Sequence, residues 1–539
     1  MIAVSRPTEA AAGRLKFAGG LFVLAAAWSA GPGLHGVVHV GDKAQLFVDR
    51  TLVAATTGVS FKVHPAEKHA GNPVLRCDQP WEDYIAFFGD ALYDGQEKRF
   101  KLWYVARVPE GAFFENGVAI TAHVVAYATS KDGINWEKPP VGTLHSPRFP
   151  AHNALVGMQS PVVWKQDDEP DPARRYKMIG VSRLATNGMP KHPSDTYVSP
   201  DGIHWNPLGR DIHRTTQDVV NGFYDEPART YVAIPKQWPY PKVDGLPQRV
   251  FGVMTSRDFE TWSKPRFIFR TDAIDEAAAP AKIESVRRHF EYPENPVANR
   301  RTDIQGVSIY RHESVIVTFP WVFHYFRGKG EPAELRDEGQ IEIQIGTLRD
   351  DYQTWDRSDR TPVIAPGAWG QWDSGFLFAS AKAFRVGDEI FLYYDGGNFT
   401  HGFDPKWFSR PRTIEIDGHP HTWRYERAIG LAKWKLDRFV SADAGETSGT
   451  VTTVPLIFTG RTLELNARTG EGGAITVSLC DAAGRPLAGF GQSVEFSGDD
   501  LRHRVRFEPS ADVAQLAGQI VTVRFTLRRA SLYSFAFRS

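Results

Sequence analysis

A repeated unit, made of a short apolar segment, an acidic turn and a tryptophan, constrains the fold of this chain more than any other feature. Its four copies pair an aspartate with a tryptophan at Asp132 and Trp136, Asp201 and Trp205, Asp258 and Trp262, and Asp350 and Trp355. Aspartate accepts backbone N–H bonds inside its own turn, and a following glycine supplies a positive φ. The tryptophan is then placed to pack between neighbouring sheets. The repeat predicts a series of small, similar β-sheets.

Hairpin patterns accompany these turns. An apolar strand, a polar turn and an aromatic strand recur at residues 85–106, 161–181, 219–236, 304–321 and 375–396. Each hairpin predicts the inner half of a four-stranded blade. Residues 45–50 are expected to join residues 428–436 and so close the ring without an open edge. The prediction is an all-β chain with a five-bladed β-propeller over residues 44–440; an array of β-sandwiches is the alternative.

The two ends of the chain differ from the middle. From residue 449, short alternating strands separated by glycine-rich turns predict a small β-sandwich over residues 449–539. Arg14 and Lys16 precede an apolar stretch at residues 17–27, followed by small residues, which predicts a signal peptide over residues 1–30. The expected location is therefore secreted or periplasmic, with an uncleaved membrane anchor as the alternative. Cys77 and Cys480 are predicted to be isolated thiols.

Composition excludes several classes of function. Lysine plus arginine and aspartate plus glutamate both number 63, and no basic run is long enough to neutralise a nucleic-acid backbone. No stretch beyond the signal segment approaches the length of a membrane span. The sequence also lacks a glycine-rich phosphate loop, a His-Glu-x-x-His motif and a Gly-x-Ser-x-Gly motif.

The blade pattern, the Asp-Gly-x-x-Trp turns and the run Trp372-Asp373-Ser374-Gly375 resemble the five-bladed propeller glycoside hydrolases of families 32 and 43. The resemblance covers about residues 44–438, and a C-terminal β-sandwich is typical of family 32. It implies an exported enzyme that cleaves a glycosidic bond in a polysaccharide or oligosaccharide. It implies no cofactor, although an axial calcium ion, as in some propeller hydrolases, stays open.

Glycoside hydrolysis needs two carboxyl groups that face each other across a sugar. The innermost strand of each blade starts near the propeller axis, so the residues just before these strands should converge there. Those positions hold Asp83, Ser160, Asp218, Asp303 and Asp373. Glu342 is a further candidate for the general acid. Each aspartate can instead cap a turn, and Glu342 can instead be a surface carboxylate on an edge strand. Glu82 takes the place of Asp83 if the strand register differs by one residue.

Sugar pockets also use aromatic platforms and planar hydrogen-bond donors. Trp321, Trp372 and His324 are predicted to line the substrate site. Arg301, close to Asp303, would hold that carboxylate ionised or bind an acidic sugar. No metal site is predicted, and a solvated loop is expected for His401, His419 and His421.

Two other functions compete with a glycosidase. One is a non-catalytic carbohydrate-binding propeller. The other is a sialidase-like enzyme, although such enzymes usually have six blades and a turn motif one residue longer than the first two copies here. The sugar, the linkage and the stereochemical course stay open at this point.

Overall fold

Five antiparallel sheets follow one another along the middle of the chain as blades of a β-propeller. The computed structural model describes residues 36–184, 193–213, 218–237, 239–243, 246–289, 300–327, 337–357, 359–401, 412–416, 419–423, 426–508 and 511–539. Within these residues the predicted five-bladed propeller is confirmed.

The strands of each blade are given from the axis outward. Blade 1 contains Tyr84–Asp94, Arg99–Arg107, His123–Ser130 and Trp136–Glu137. Blade 2 contains Met158–Lys165, Tyr176–Ser182, Ser194–Ser199 and Asn206–His213. Blade 3 contains Val220–Asp225, Thr230–Pro235, Phe251–Ser256 and Arg266–Phe269. Blade 4 contains Arg300–Arg311, Ile316–Arg327, Gly346–Leu348 and Trp355–Asp356. Blade 5 contains Phe376–Ala379, Glu389–Gly397, Arg427–Lys435 and Glu67–Lys68.

Smaller elements decorate the blades. Three strands pair with blades 1, 4 and 5, respectively: Ala154–Val156, Asp337–Ile343 and Phe384–Val386. Three hairpins stand apart: Phe114–Glu115 with Val118–Ala119, Lys242–Val243 with Leu246–Pro247, and Arg412–Ile416 with His419–Trp423. The described residues include two 3-10 helices, Pro172–Arg174 and Val513–Leu516.

The ring closes with a different strand from the one predicted. Glu67–Lys68 pairs with Arg427–Lys435 and completes blade 5, whereas Gln45–Leu46 pairs with Thr522–Arg538 near the C-terminus. A two-residue strand carries no periodic pattern, so the sequence could not single it out. The apolar character of residues 45–50 fits either sheet, and the prediction that they close the propeller was wrong.

The C-terminal sheet also draws on both ends of the chain. Its eight strands are Gln45–Leu46, Val53–Thr57, Ser60–Val63, Val440–Ala444, Gly449–Thr453, Thr462–Cys480, Asp499–Arg504 and Thr522–Arg538. Beside it, Val38–Gly41 pairs in parallel with Leu456–Phe458. The predicted boundary near residue 449 is therefore corrected, because this sheet includes strands from before the propeller. That this sheet belongs to a β-sandwich stays a prediction.

The acidic turns form as predicted, with one shift. Oδ1 of Asp132 accepts two backbone N–H bonds at 2.8 Å, from Ile134 and Asn135. Asp201 and Asp258 cap their turns in the same way. In the fourth copy Asp351, not Asp350, accepts the N–H bonds. Asp351 stands four residues before its tryptophan, as in the other three turns.

Aromatic rings and an ion pair fill the axis below the entrance, the name we use for the end at which the inner strands of the blades begin. The Phe88 ring lies 4.6 Å from that of Phe378, which packs edge-on against Trp321 at 5.4 Å. Blade 5 meets blade 1 through Arg427, which forms an ion pair with Asp395 and lies over the Phe88 ring at 5.2 Å. The axis is therefore packed at this level.

A helix that the strand repeat does not predict, α1 (Ala273–His289), packs on blade 4. Its sequence is rich in alanine, glutamate and other good helix formers. Asp272 accepts N–H bonds from Ile274 and Asp275, as an N-cap residue does. The predicted signal peptide lies outside the described residues, and within the described part no helix is long and apolar enough to span a membrane. Both cysteines are free, as predicted.

Candidate functional site

Two of the predicted aspartates, Asp218 and Asp303, lie in one group of charged residues at the axis. Asp218 stands just before the first strand of blade 3, and Asp303 is the fourth residue of the first strand of blade 4. We use the name axial cluster for Arg183, Asp218, Lys236, Arg249, Asp303 and Tyr325. Its members come from blades 2, 3 and 4, and Arg249 acts electrostatically on both carboxyl groups.

The cations of the axial cluster were missed by the sequence analysis. Lys236 directly follows the second strand of blade 3, and Arg249 stands two residues before the third. A hairpin returns the chain to the end at which its first strand began, so both side chains arrive beside Asp218. A charged residue at the end of a second strand is the signal that would have found Lys236.

Asp303 is almost fully buried, with a side chain 1% exposed. Its Oδ2 accepts hydrogen bonds from the Tyr325 hydroxyl at 2.8 Å and from Arg249 Nη1 at 3.1 Å. Among the described residues its Oδ1 has no hydrogen-bond partner. Desolvation raises the pKa of Asp303 to about 6, because the nearby arginines only partly offset the cost of burying its charge.

Asp218 has the opposite electrostatic character. Its Oδ1 accepts a hydrogen bond from Lys236, whose side chain is fully buried, while the Asp218 side chain is 38% exposed. Desolvation opposes its ionisation, but the charges of Lys236, Arg183 and Arg249 outweigh it and lower the pKa of Asp218 below its usual value. One carboxyl group of the axial cluster is therefore ionised at neutral pH, and its neighbour titrates near pH 6.

Blades 1, 2 and 5 complete the surroundings. Arg183 Nε donates to Gln159 Oε1 at 3.0 Å, and the Gln159 amide donates to the backbone carbonyl of Asp218 at 3.0 Å. Tyr84 of blade 1 lies within electrostatic range of Arg183 and 5.4 Å beneath the Arg427 guanidinium of blade 5. Arg183 thus connects Asp218 with blades 1 and 2, and Tyr84 continues the contacts to Arg427 of blade 5.

Glu342 and His324 lie on the other face of blade 4. Asp303 pairs with Phe323, whereas Glu342 pairs with Val322, and neighbouring residues of a strand point to opposite faces. Glu342 accepts hydrogen bonds from Lys282 of α1 and from Gln344, and His324 Nδ1 lies 3.0 Å from the Thr302 hydroxyl. The expectation that Glu342 stands beside the funnel aspartates is corrected: it faces the helix.

Asp373 is also turned away from the axial cluster. Its carboxylate binds Lys68 at 2.6 Å and the Tyr394 hydroxyl at 3.0 Å, while Trp372 stacks on the Tyr394 ring at 5.6 Å. Lys68 belongs to the strand that closes the ring, so Asp373 ties that strand to blade 5. The position before an inner strand was predicted correctly, but the direction of the side chain was not.

Replacement of Asp373 by Asn should therefore affect stability rather than chemistry. We expect the free energy of unfolding to fall by roughly 1–2 kcal/mol, the cost of weakening one charge-assisted hydrogen bond to a partly exposed lysine. The turnover number should stay within a few-fold of wild type. Urea unfolding and kinetics on the same preparation check both values, and a large loss of turnover without destabilisation would return Asp373 to the active site.

The remaining predicted residues divide between surface, core and axis. Asp83 is exposed, and its neighbour Glu82 is buried, accepting bonds from the Tyr104 hydroxyl and Lys138, so Glu82 is a turn-capping residue. Trp321 is fully buried and donates to Ser308, which removes it as a platform for a sugar. Arg301 is half-buried and lies on the same face of blade 4 as Asp303.

A cavity of about 510 Å³ lies at the opposite end of the inner strands. Most of its charged residues are already paired: Asp94, for example, binds Lys101 at 3.1 Å and Lys165 at 2.8 Å. These contacts, despite the cost of burial, hold the pKa of Asp94 far below its usual range. This cavity contains no pair of carboxyl groups with opposed pKa shifts.

No group of three or more histidine, cysteine, aspartate or glutamate residues is placed to hold a metal ion in the described part of the chain. His401 packs against the Phe323 ring at 4.9 Å, and the other two histidines of the predicted solvated loop lie in the strand His419–Trp423. An axial calcium ion has no ligand set among these residues and stays a prediction.

Neither a protein-family model nor a curated protein matches the chain. Solved structures similar to it include a glycoside hydrolase family 43 arabinoxylan arabinofuranohydrolase from Bacillus subtilis (12% identity, 88% of this chain and 99% of that chain, TM-score 0.37). A β-1,2-mannobiose phosphorylase from Listeria innocua covers 69% of this chain and 97% of its own at 12% identity, with a TM-score of 0.40. An N-acetylgalactosamine deacetylase from F. plautii covers 71% and 97% at 13% identity, with a TM-score of 0.39.

One of these three structures is described as a family 43 enzyme, while the comparison with family 32 stays a prediction. At these identities and scores the likenesses assign neither a reaction nor a substrate to the chain.

Proposed function

We propose that this protein is a glycoside hydrolase whose active site is the axial cluster. One observation carries the proposal: Asp218 and Asp303 both interact with Arg249, yet their pKa values are displaced in opposite directions. An enzyme that cleaves glycosides needs one protonated and one ionised carboxyl group at the same time. Below about pH 6 the opposed shifts give the axial cluster this combination, and its aspartates stand where the inner strands of a propeller begin.

Asp303 is the proposed general acid. Its Oδ2 already accepts two hydrogen bonds, so the proton is expected on Oδ1, which has no partner in the described residues. In the reaction this proton passes to the glycosidic oxygen as the bond from that oxygen to the anomeric carbon breaks. The leaving group then departs as an alcohol, and Asp303 is left as a carboxylate stabilised by Arg249.

Asp218 is the proposed second carboxylate. Lys236 holds one of its oxygens, and the exposed side chain leaves the other accessible from the entrance. That oxygen either removes a proton from an attacking water, which inverts the anomeric configuration, or attacks the anomeric carbon itself, which retains it. The anomer first released, observed by proton NMR during hydrolysis, distinguishes the two courses.

The test of the proposed function is a screen of purified protein against polysaccharides, oligosaccharides and aryl glycosides, scored by released sugar. The Asp218→Asn/Asp303→Asn double variant is the control for contaminating activity. Release by wild type and not by the double variant supports the proposal. Equal release by both proteins, or tight glycan binding without cleavage, would favour the non-catalytic carbohydrate-binding propeller, in which these ion pairs only shape the site.

The pH dependence should follow the ionisation of Asp303. Because its pKa is raised to about 6 and the acid must be protonated to act, kcat/KM is expected to fall by about tenfold per pH unit above pH 6. The lowered pKa of Asp218 places the acidic limb below the usual range for aspartate. A profile measured on one substrate checks this, and a flat rate from pH 5 to 8 would contradict the assignment.

Export belongs to the same proposal. It rests on the charged and apolar pattern of residues 1–30, and N-terminal sequencing of protein recovered outside the cytoplasm tests it. A mature protein that starts at Met1 would contradict cleavage of a signal peptide.

A further inference from the structure

We propose, on the basis of the proposed function, that the sugar bound at the axis carries a carboxylate and that Arg301 is the residue that recognises it. Arg301 lies on the inner strand of blade 4, two residues before Asp303 and on the same face of the sheet. It is half-buried, so its charge is only partly hydrated.

The hydrogen bonding of Arg301 leaves most of its donors available. Its Nη1 donates to the backbone carbonyl of Pro247 at 3.1 Å, which fixes the guanidinium at the entrance without neutralising it. No carboxylate of the described residues lies within ion-pair distance of Arg301. By contrast, Lys236 and Arg249 each have an aspartate partner. Among the described residues, Arg301 is therefore the cation around Asp303 that has no carboxylate partner.

The charge balance of the surroundings points the same way. Four cations act on the two aspartates: Arg183, Lys236, Arg249 and Arg301. The further acidic group near Arg301 is Glu276 of α1, which accepts the backbone N–H of Thr302 at 3.1 Å and whose pKa burial raises. A partly buried cation in excess is compensated best by an anion brought by the ligand.

Guanidinium chemistry selects the kind of anion. The planar fork of arginine matches a carboxylate in two parallel hydrogen bonds, and such charge-assisted pairs are stronger than bonds to neutral hydroxyl groups. A carboxylate next to Asp303 would also raise the pKa of that aspartate, since like charges disfavour ionisation. The acidic substrate would thus help to keep the general acid protonated.

The test measures binding, so it does not depend on turnover. Glucose, galactose and mannose are titrated against the protein by calorimetry, each beside its uronic acid and its 6-sulfate. Proteins compared are wild type, Arg301→Gln, Arg301→Lys and the control Arg229→Gln, which removes an exposed arginine at the far end of blade 3. We expect at least one uronic acid to bind about 10–100-fold more tightly than its neutral sugar, the range for hydrogen bonds to a charged group.

In Arg301→Gln this preference should disappear while the neutral sugar binds as before. Arg301→Lys should keep part of it, because the charge remains without the fork, and Arg229→Gln should keep all of it. Equal binding of acidic and neutral sugars by wild type, a preference for the sulfate, or equal weakening of both sugars in Arg301→Gln would each overturn the inference. Acid-selective binding by a protein that cleaves nothing would refute the proposed function alone, and hydrolysis without acid selectivity would refute this inference alone.

Discussion

Asp303→Asn should lower the turnover of glycoside hydrolysis by about 10²–10⁴-fold, the contribution of a positioned general acid. Asparagine keeps the shape of the side chain and still accepts a bond from Tyr325, but it has no proton to give. The loss should be large for substrates with poor leaving groups and small for aryl glycosides whose phenolate departs without protonation. Kinetics across a series of aryl leaving groups measures this difference.

Asp225→Asn is the matched control for that experiment. Asp225 is equally buried and is held by an arginine and a tyrosine in the same manner, with Arg311 Nε at 3.1 Å and the Tyr352 hydroxyl at 2.6 Å. It stands at the opposite end of the inner strand of blade 3. If both variants lost turnover equally and independently of the leaving group, the effect of Asp303 would be structural.

The propeller was predictable because its signals are local. Each acidic turn is built within a few residues: Asp132 and Asp201 cap the turns that they themselves form. Alternating strands and turn residues recur in every blade, so the number of blades follows from counting these repeats. Ring closure was not predictable in the same way. Glu67–Lys68 is two residues long, and its partner strand lies more than 350 positions away.

The candidate site was predictable in position but not in direction. Asp218 and Asp303 were found because residues before or at the start of inner strands lie near the axis. For Asp373 the same rule gave the correct end of the blade, yet the carboxylate turns outward to Lys68. Successive residues of a strand point to opposite faces, and Glu342 lies on the face opposite to the axial cluster. Because the sequence leaves the strand register uncertain by one residue, it could not assign Glu342 to a face.

The pKa difference between the two aspartates lay beyond any reading of the sequence. It depends on Lys236 and Arg249, which stand 18 and 31 positions from Asp218, and on the burial of Asp303 beneath Tyr325. Desolvation and ion pairing are properties of the folded environment. A pattern of residue types can place carboxyl groups together, but it cannot assign which of them holds the proton.

Asp218→Asn should cost about 10²–10⁴-fold in turnover as well, but with a different signature. Because Asp218 acts on the anomeric carbon or its attacking water, the loss should be equally large for every leaving group. Its exposed side chain also leaves room for a small anion, so azide or formate should restore part of the activity in this variant. In Asp303→Asn the same anions should restore little with poor leaving groups, because an anion cannot supply the missing proton. If azide restores activity to Asp218→Asn and a glycosyl azide is formed, its anomeric configuration, determined by NMR, identifies whether Asp218 acts as nucleophile or as base. If no anion restores activity and the loss varies with the leaving group, the assignment of the two aspartates is contradicted.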